Sequence, residues 1–399
     1  MNEKEIIDIE QTYMANTYSK RPLVIVKGRG STLWDINGRE YVDCMGAYGV
    51  CVVGHSHPKV VEAIQKQAAN LIACHSSLYN DARSTFLKKI VEVTPKELNK
   101  AFLANSGTET VEAAIKLARK HTGKTEIIAF MGGYHGKTLG SLSATWNKRY
   151  RTPFEPLVPG FKHVPYGRPE RVKSAVTDET AAILVEPIQG EGGIKVPPSD
   201  FLSELREICD AKGALLICDE VQTGLGRTGK FFASEHFNVV PDVMCLAKAV
   251  GGGVPIGVMV AKDEVMASFK LGDHSSTFGG NPLTCAAASA AVDIVVEERL
   301  HERAARLGKY FMAKLNELQE KYKLVREVRG MGLMIGMEFR FDVYNLILGA
   351  LKKGVLVLDA GRNVLRFLPP LVISKEELDR VVKVLDSVIG EEERARVRR

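Results

Sequence analysis

Residues 214–224 of this 399-residue chain read ALLICDEVQTG, and this stretch decides the fold. The apolar run 214–218 predicts a strand that is covered on both faces, as strands of a parallel sheet are. The run ends on Asp219, a carboxylate at the inner end of a buried strand, which is costly unless it is paired. We therefore expect an α/β sheet with polar groups at its strand ends, where such sheets bind ligands.

Further apolar runs of similar length predict neighbouring strands of the same sheet. They lie at residues 100–104, 126–130, 181–185 and 243–247. The run at 256–260 is expected to be an antiparallel neighbour. Helical patterns lie between most of these runs, and strands that alternate with helices are typical of a doubly wound α/β domain.

The two ends of the chain predict a second, smaller α+β domain. Residues 33–42 hold an Asn-Gly pair between strand-like runs, which is a good hairpin signal. The C-terminal part predicts a long helix near 286–320, strands near 333–339 and 364–368, and helices near 343–353 and 375–389. We therefore divide the chain into an N-terminal segment (1–50), a large domain (51–285) and a C-terminal segment (286–399), the two ends together forming the small domain.

Composition excludes several classes of protein. Hydrophobic residues make up 45% and charged residues 26%, the ordinary globular balance. We see no signal peptide and no apolar run long enough to span a membrane, and the seven cysteines are scattered, so we expect a soluble cytoplasmic protein. Lys and Arg do not cluster with aromatic residues, which argues against nucleic acid. His55 and His57 predict a turn and not a metal site, and we expect no metal.

Two further strand ends carry groups that suit a cofactor. Ser106, Gly107 and Thr108 lie between a strand and a helix, where backbone N–H groups favour a phosphate, although a plain N-cap has the same pattern. Lys248 follows the run at 243–247 and precedes three glycines, and burial there would lower its pKa, as a Schiff-base lysine needs. Asp219 fits either a capping residue or the partner of a protonated pyridine nitrogen.

The motifs, in their order along the chain, resemble those of the class III aminotransferases of the ornithine and acetylornithine type. The residues that carry the resemblance are NSGTE (105–109), GYHGKT (133–138), EPIQGEGG (186–193), DEVQTGLGRTG (219–229), LAKA (246–249) and TFGGNP (277–282). The resemblance covers about residues 15–390, and the stretch 219–229 is very specific.

The resemblance implies an enzyme that uses pyridoxal 5'-phosphate (PLP), has fold type I with a mainly parallel seven-stranded sheet, and forms an obligate homodimer with shared active sites. It implies that Lys248 holds the cofactor covalently and, once released, acts as general base, while Asp219 holds the ring nitrogen. The other cofactor contacts that it implies are Gln222 at the ring hydroxyl, Val221 and Tyr134 on the ring faces, Ser106, Gly107 and Thr108 at the phosphate, and Thr277 reaching the phosphate of the partner subunit.

The resemblance also implies residues that bind substrate. One pocket must bind glutamate by its α-carboxylate and then a donor whose reacting carbon carries none. Arg366 would bind the carboxylate, and Glu191 would neutralise it for the other donor, with a static ion pair as the alternative. Ser276 would touch substrate. At the distal end, Tyr48 and the residue after His-Gly would hold the remote carboxylate. The family commonly has Arg at that position, whereas this chain has Lys137, and lysine lacks the planar fork.

Less diagnostic stretches are most similar to aminotransferases that act on lysine or ornithine attached to the acidic amino-group carrier protein LysW. They are residues 140–146, 150–157, 329–334 and 366–370. The expected reaction is terminal amino transfer between glutamate/2-oxoglutarate and a carrier-bound aminoadipate or glutamate semialdehyde, in lysine biosynthesis, with arginine biosynthesis open as a second pathway. The net charge of +6 is compatible with an acidic partner. Acetylornithine or free ornithine aminotransferase, a PLP-dependent racemase or aminomutase, and a non-catalytic carrier-binding subunit stay open as alternatives.

Overall fold

The computed structural model of the chain describes residues 1–397. Its α-helices are α1 (Glu3–Tyr13), α2 (Gly46–Gly49), α3 (Pro58–Asn70), α4 (Asp81–Val93), α5 (Gly107–Thr122), α6 (Leu139–Ala144), α7 (Lys148–Arg151), α8 (Pro169–Ala175), α9 (Phe201–Lys212), α10 (Asp263–Met266), α11 (Pro282–Glu297), α12 (Leu300–Lys321), α13 (Tyr344–Lys352) and α14 (Lys375–Val397). None of the helices in this described part is both long and apolar enough to cross a membrane.

The strands form three sheets. They are β1 (Ile25–Arg29), β2 (Thr32–Asp35), β3 (Glu40–Asp43), β4 (Lys100–Ala104), β5 (Glu126–Phe130), β6 (Phe161–Val164), β7 (Thr180–Val185), β8 (Leu215–Asp219), β9 (Val243–Leu246), β10 (Gly257–Ala261), β11 (Val325–Met331), β12 (Met334–Phe339), β13 (Val355–Leu356), β14 (Leu358–Asp359) and β15 (Val364–Phe367). The sheet orders are β4-β10-β9-β8-β7-β5-β6, β1-β2-β3-β13 and β11-β12-β15-β14.

The seven-stranded sheet confirms the predicted α/β fold. Strands β6, β5, β7, β8 and β9 are parallel, and β10 runs antiparallel to both β9 and β4, as the sequence predicted. Every residue of β7 and β8 is buried, because helices such as α5 and α9 pack on them. The edge strand β6 was not predicted, because its sequence FKHV is mixed and three of its four residues are only half-buried.

The two smaller sheets are built from the ends of the chain. The predicted hairpin is confirmed: β2 and β3 pair antiparallel around the turn at Gly38, where φ is 81°. Strand β13, more than 300 residues later, pairs in parallel with β3, so both ends of the chain share one sheet. The remaining sheet, β11-β12-β15-β14, is antiparallel throughout.

Two predictions about the C-terminal helices were wrong. The single helix expected near 286–320 is two helices, α11 and α12, which are separated where Arg299 takes a left-handed conformation with φ 50°. Apolar spacing continues through this break, so periodicity alone did not reveal it. The last helix, α14, continues to Val397, whereas we expected it to end near residue 389. Residues 398–399 lie outside the described residues.

Gly308→Ala is expected to destabilise the protein, although alanine favours helices by about 1 kcal/mol over glycine. Gly308 lies inside α12, and a Cβ there would stand 2.1 Å from the carbonyl oxygen of Gly332. Overpacking of this kind costs about 1–3 kcal/mol, so the unfolding midpoint in urea should fall. Asn316→Ala, at an exposed position of the same helix, is the control and should be neutral or slightly stabilising. An unchanged midpoint for Gly308→Ala would show that the two segments move apart without cost.

Candidate active site

Asp219 and Lys248 lie at the ends of adjacent strands. Asp219 is the last residue of β8 and is the register partner of Cys245 on β9. Lys248 follows β9 after one residue and begins a 3₁₀ turn that ends at Gly251. Because parallel strands end at the same edge of a sheet, this register brings the carboxylate and the amine into one cavity of about 360 Å³.

The conformation and environment of Lys248 are unusual for a lysine. Its φ is 43°, in the left-handed region that non-glycine residues seldom adopt. Burial lowers the pKa of its ammonium group, against the opposite effect of the carboxylates of Glu191 and Asp219. A lysine with a lowered pKa supplies more of the neutral amine that reacts with carbonyl compounds.

The carboxylate of Asp219 forms a hydrogen bond with His135, a residue that the sequence analysis did not single out. Nδ1 of His135 lies 2.7 Å from Oδ2 of Asp219, while Oδ1 accepts the backbone N–H of Val221 at 3.1 Å. Both side chains are about 95% buried. Burial alone would lower the pKa of His135, but the hydrogen bond to Asp219 outweighs it and the pKa is raised. The imidazole therefore stabilises the ionised carboxylate.

The N-terminus of α5 forms another wall of the cavity. Ser106 is its N-cap, and Gly107 packs so closely on Val221 that a Cβ would stand 2.7 Å from a methyl carbon. The hydroxyl of Thr108 bonds to those of Thr138 (2.8 Å) and Ser141 (2.6 Å). Free backbone N–H groups and hydroxyls at the start of a 16-residue helix form a site for a phosphate dianion.

Tyr134 and Val221 also line the cavity. The backbone N–H of Tyr134 donates to Oε2 of Glu186 at 3.0 Å, which fixes the loop that carries it. Burial raises the pKa of the Tyr134 hydroxyl to about 12, so the ring stays neutral. Gln222 also lines the cavity.

Arg366 and Glu191 form an ion pair beside this cavity. Nη1 of Arg366 donates to Oε1 of Glu191 at 2.5 Å and to Oε1 of Gln222 at 3.3 Å. Arg366 is only 1% exposed, whereas about a third of the Glu191 side chain is accessible. The ring of Tyr48 lies 5.5 Å from the guanidinium carbon. Tyr48 sits in the short left-handed turn α2, with φ 60°, which turns the ring towards Arg366.

The other residues expected at the site lie further out. Lys137 is exposed, and its Nζ stands 4.7 Å from the ring centroid of Tyr150, a residue that the sequence analysis missed. Tyr150 in turn packs edge-on against Tyr134, with centroids 6.2 Å apart. Ser276 accepts a hydrogen bond from Asn105, which lines the cavity, at 3.1 Å. Thr277 is exposed and does not line the cavity of its own chain.

These residues fit PLP as cofactor. The cavity wall presents a buried carboxylate (Asp219) for a protonated ring nitrogen, an amine (Lys248) for an aldehyde, and a helix N-terminus for a phosphate. Gly136 keeps room at the phosphate end, because a Cβ there would stand 2.2 Å from the hydroxyl of Thr108. Among the residues described, no group of three or more His, Cys, Asp or Glu could hold a metal ion.

Comparisons with known proteins point to the same chemistry. The family described as Aminotransferase class-III matches residues 13–389. An acetylornithine aminotransferase of Methanopyrus kandleri is 51% identical over 96% of this chain and 98% of its own length. A [LysW]-aminoadipate semialdehyde transaminase of Deinococcus radiodurans is 45% identical over 98% of this chain and 93% of its own. An ornithine aminotransferase of Toxoplasma gondii, with PLP at partial occupancy, superimposes with a TM-score of 0.95 at 35% identity, covering 99% of this chain and 96% of that one.

Lys248→Met is expected to stabilise the cofactor-free protein at neutral pH. Because burial lowers the pKa of Lys248 in the folded state, the unfolded chain binds more protons between that pKa and 10.5, so the stability of the wild type rises with pH across this window. The higher unfolding temperature of the variant should therefore approach that of the wild type as the pH rises towards 10.5. Lys309→Met, at an exposed position of α12, controls for loss of a surface charge. A difference that stays constant with pH would contradict the prediction.

Proposed function

The chain belongs to the class-III aminotransferases and uses PLP, and from this premise we propose that it transfers a terminal amino group between glutamate/2-oxoglutarate and an ω-amino acid whose α-nitrogen is acylated. The observation that carries this proposal is the ion pair between Arg366 and Glu191 beside the cavity of Lys248. An arginine that a mobile carboxylate neutralises can serve a substrate with a carboxylate at the reacting carbon and one without.

Residues of the cavity would hold the cofactor by its three polar groups. Asp219 would accept the ring N–H, Gln222 would bond to the ring hydroxyl, and the residues of the α5 N-terminus, Ser106, Gly107 and Thr108, would bind the phosphate. When bound, PLP supplies an aldehyde that exchanges amino groups and a ring that accepts electron density. Nζ of Lys248 would move the proton to and from the reacting carbon of the substrate, and its lowered pKa suits a general base.

The Arg366–Glu191 ion pair would be closed when one kind of substrate binds and open when the other kind binds. With the pair closed, as here, the guanidinium is neutralised and the pocket accepts a terminal CH₂–NH₂ group that carries no carboxylate. With Glu191 turned away, Nη1 of Arg366 is free for the α-carboxylate of glutamate. The accessible third of the Glu191 side chain gives it room to turn, while Arg366 is packed in place.

The distal end of the pocket bears on the second substrate. Lys137 would bind a carboxylate there as a single charge, with its Nζ placed over the ring of Tyr150. The names of the curated relatives favour acetylornithine as this substrate, since the relative at 51% identity is an acetylornithine aminotransferase. Lys137, Lys148 and Arg149 are all exposed, and this basic rim favours a carrier-bound substrate as the second candidate.

A second copy of the chain would complete the site. Tyr79 and Leu78, before α4, and Phe278 are strongly exposed apolar side chains, and their exposure supports an interface between two copies. Thr277, which is next to Phe278 and does not line the cavity of its own chain, is the residue that would reach the phosphate of the partner's cofactor. We therefore propose a homodimer with shared active sites.

The cysteines bear on where the protein works. All seven are free thiols, and six of them are buried. Free thiols persist in reducing compartments, so we propose a cytoplasmic location.

A half-reaction with each amino donor in turn tests the proposed substrates. PLP-loaded protein is mixed with stoichiometric glutamate, N-acetylornithine, free ornithine or lysine attached to the carrier protein, and the loss of absorbance of the bound cofactor is followed. Fast loss with glutamate and N-acetylornithine supports the small-molecule reaction, and fast loss with glutamate and the carrier-bound donor alone supports the carrier reaction. If free ornithine is the fastest donor, the proposal that the α-nitrogen of the substrate is acylated is overturned. Isomerisation of one amino acid without an oxo acid would indicate a racemase instead.

Glu191→Gln is expected to separate the two substrates. The neutral amide can no longer neutralise Arg366, so kcat/KM for the ω-amino donor should fall about tenfold to a hundredfold, while that for glutamate changes little. The measurement is kcat/KM for both donors. Glu302→Gln, which removes an exposed ion pair with Arg299, is the matched control and should leave both values unchanged. An equal fall for both donors would show a static structural pair.

A further inference from the structure

A second buried carboxylate, which has no part in the function proposed above, lines the same cavity as Asp219. Glu186 directly follows β7, is 6% exposed, and accepts backbone N–H groups from Tyr134 (3.0 Å) and Gly190 (3.2 Å). The first of these donors is the neighbour of His135 in the chain. His135 lies near both carboxylates. Its Nδ1 bonds to Asp219, and its ring also interacts with the charge of Glu186.

The remaining nitrogen of His135 faces the space beside Glu186. Its Nε2 is fully buried and has no hydrogen-bond partner among the described residues. A Cβ on Gly133 would stand 3.2 Å from this nitrogen and 3.7 Å from Oε2 of Glu186, so the two atoms border the same small space. A buried N–H without an acceptor costs about 1–3 kcal/mol, and the acceptor oxygens that border this space are Oε2 of Glu186 and the backbone oxygen of Phe130. Of these two, Oε2 of Glu186 can carry a charge.

We propose that His135 and Glu186 are positioning residues that couple the charge on Asp219, and through it the cofactor ring nitrogen, to a proton held on Oε2 of Glu186. With Glu186 ionised, the two carboxylates beside His135 favour its protonated form, so the charges of Asp219, His135 and Glu186 alternate: minus, plus, minus. Below neutral pH Oε2 of Glu186 takes up a proton from solvent and the charges become minus, plus, neutral. No bond to the cofactor or the substrate changes in this step, so only the electrostatic potential at Asp219 differs.

The other titratable groups around Glu186 do not replace it in this role. Burial raises the pKa of Glu186 to about 7, while His135 and the two backbone N–H groups act in the opposite direction. Tyr166 donates its hydroxyl to the backbone oxygens of Glu186 and Pro187, and burial raises its pKa far above neutral. Other titratable groups that interact with Asp219, His135 or Glu186 are Lys248, Tyr134, Cys245 and His163. Of these, burial lowers the pKa of His163 to about 4, so it is neutral in the range where Glu186 changes.

Coupling of this kind is reciprocal. If a proton on Glu186 changes the energy of the ring nitrogen, then a change of charge on the ring must shift the pKa of Glu186 by the same free energy. The absorbance of the bound cofactor should therefore change with pH around 7, and the affinity of the protein for PLP should change over the same range. Both measurements are made without turnover.

The test compares three variants with the wild type across neutral pH, measuring the cofactor spectrum and the dissociation constant for PLP. Glu186→Gln imitates the protonated carboxyl group, so it should show the low-pH spectrum throughout and lose the step near pH 7. His135→Asn keeps an N–H donor near Asp219 but cannot carry charge, so it should lose the step and bind PLP about tenfold more weakly. Tyr166→Phe alters the same strand end without removing a charge and should keep the step.

Each outcome of these measurements either supports or overturns the proposal. A step near pH 7 that persists in Glu186→Gln, or a wild type without any step, overturns it. Should His135→Asn fail to fold, the near-isosteric Glu186→Gln carries the test alone; its single amide oxygen can accept the backbone N–H of Tyr134 or that of Gly190, which bind separate oxygens of Glu186. Loss of the step in Glu186→Gln together with its retention in Tyr166→Phe supports it.

Discussion

The parallel register of β8 with β9 is the constraint on which the site depends. It places Asp219 opposite Cys245, so that the chain leaving β9 delivers Lys248 beside the carboxylate. A shift of one residue would turn Asp219 to the other face of the sheet and remove the carboxylate from the cavity. The buried apolar residues of β8 hold this register, because each of them is packed against helices. The chemistry of the site therefore rests on the hydrophobic packing of strands that take no direct part in it.

Much of the fold and of the cofactor site could be predicted because its signals are local. Apolar runs flanked by glycine or a polar residue mark β4, β5, β7, β8 and β9, and the residues at their ends carry the PLP motifs. What could not be predicted depends on contacts between distant parts of the chain. Nothing in the local sequence distinguishes His135 from other loop histidines. Only the fold brings it next to Asp219, which lies 84 residues further along the chain. Tyr150 likewise gains its place only through the packing of its ring against Tyr134.

Charge at the site is arranged in two separate ion pairs of different character. The Asp219–His135 pair is fully enclosed and has a fixed geometry, which suits a group that must hold one charge state at the cofactor ring. The Arg366–Glu191 pair is enclosed on one side only, because Glu191 reaches solvent while Arg366 does not. A buried pair resists change, since separating it strands a charge in a medium of low polarity, whereas a half-open pair can exchange partners. How readily the two partners of each pair can separate thus follows from how deeply the pair lies.

The sheet formed by β1, β2, β3 and β13 ties the first part of the chain to the last. Strand β3 ends three residues before α2, which carries Tyr48, and its outer neighbour β13 is not synthesised until residue 355. Arg21 also bonds to the backbone oxygen of Val357. During translation the N-terminal hairpin therefore cannot pair with β13 until nearly the whole chain has been synthesised. Contacts between residues so far apart in sequence form slowly. The ring of Tyr48 and the guanidinium of Arg366 can meet only after residue 366 has been synthesised, so this side of the proposed substrate pocket cannot form until most of the chain exists.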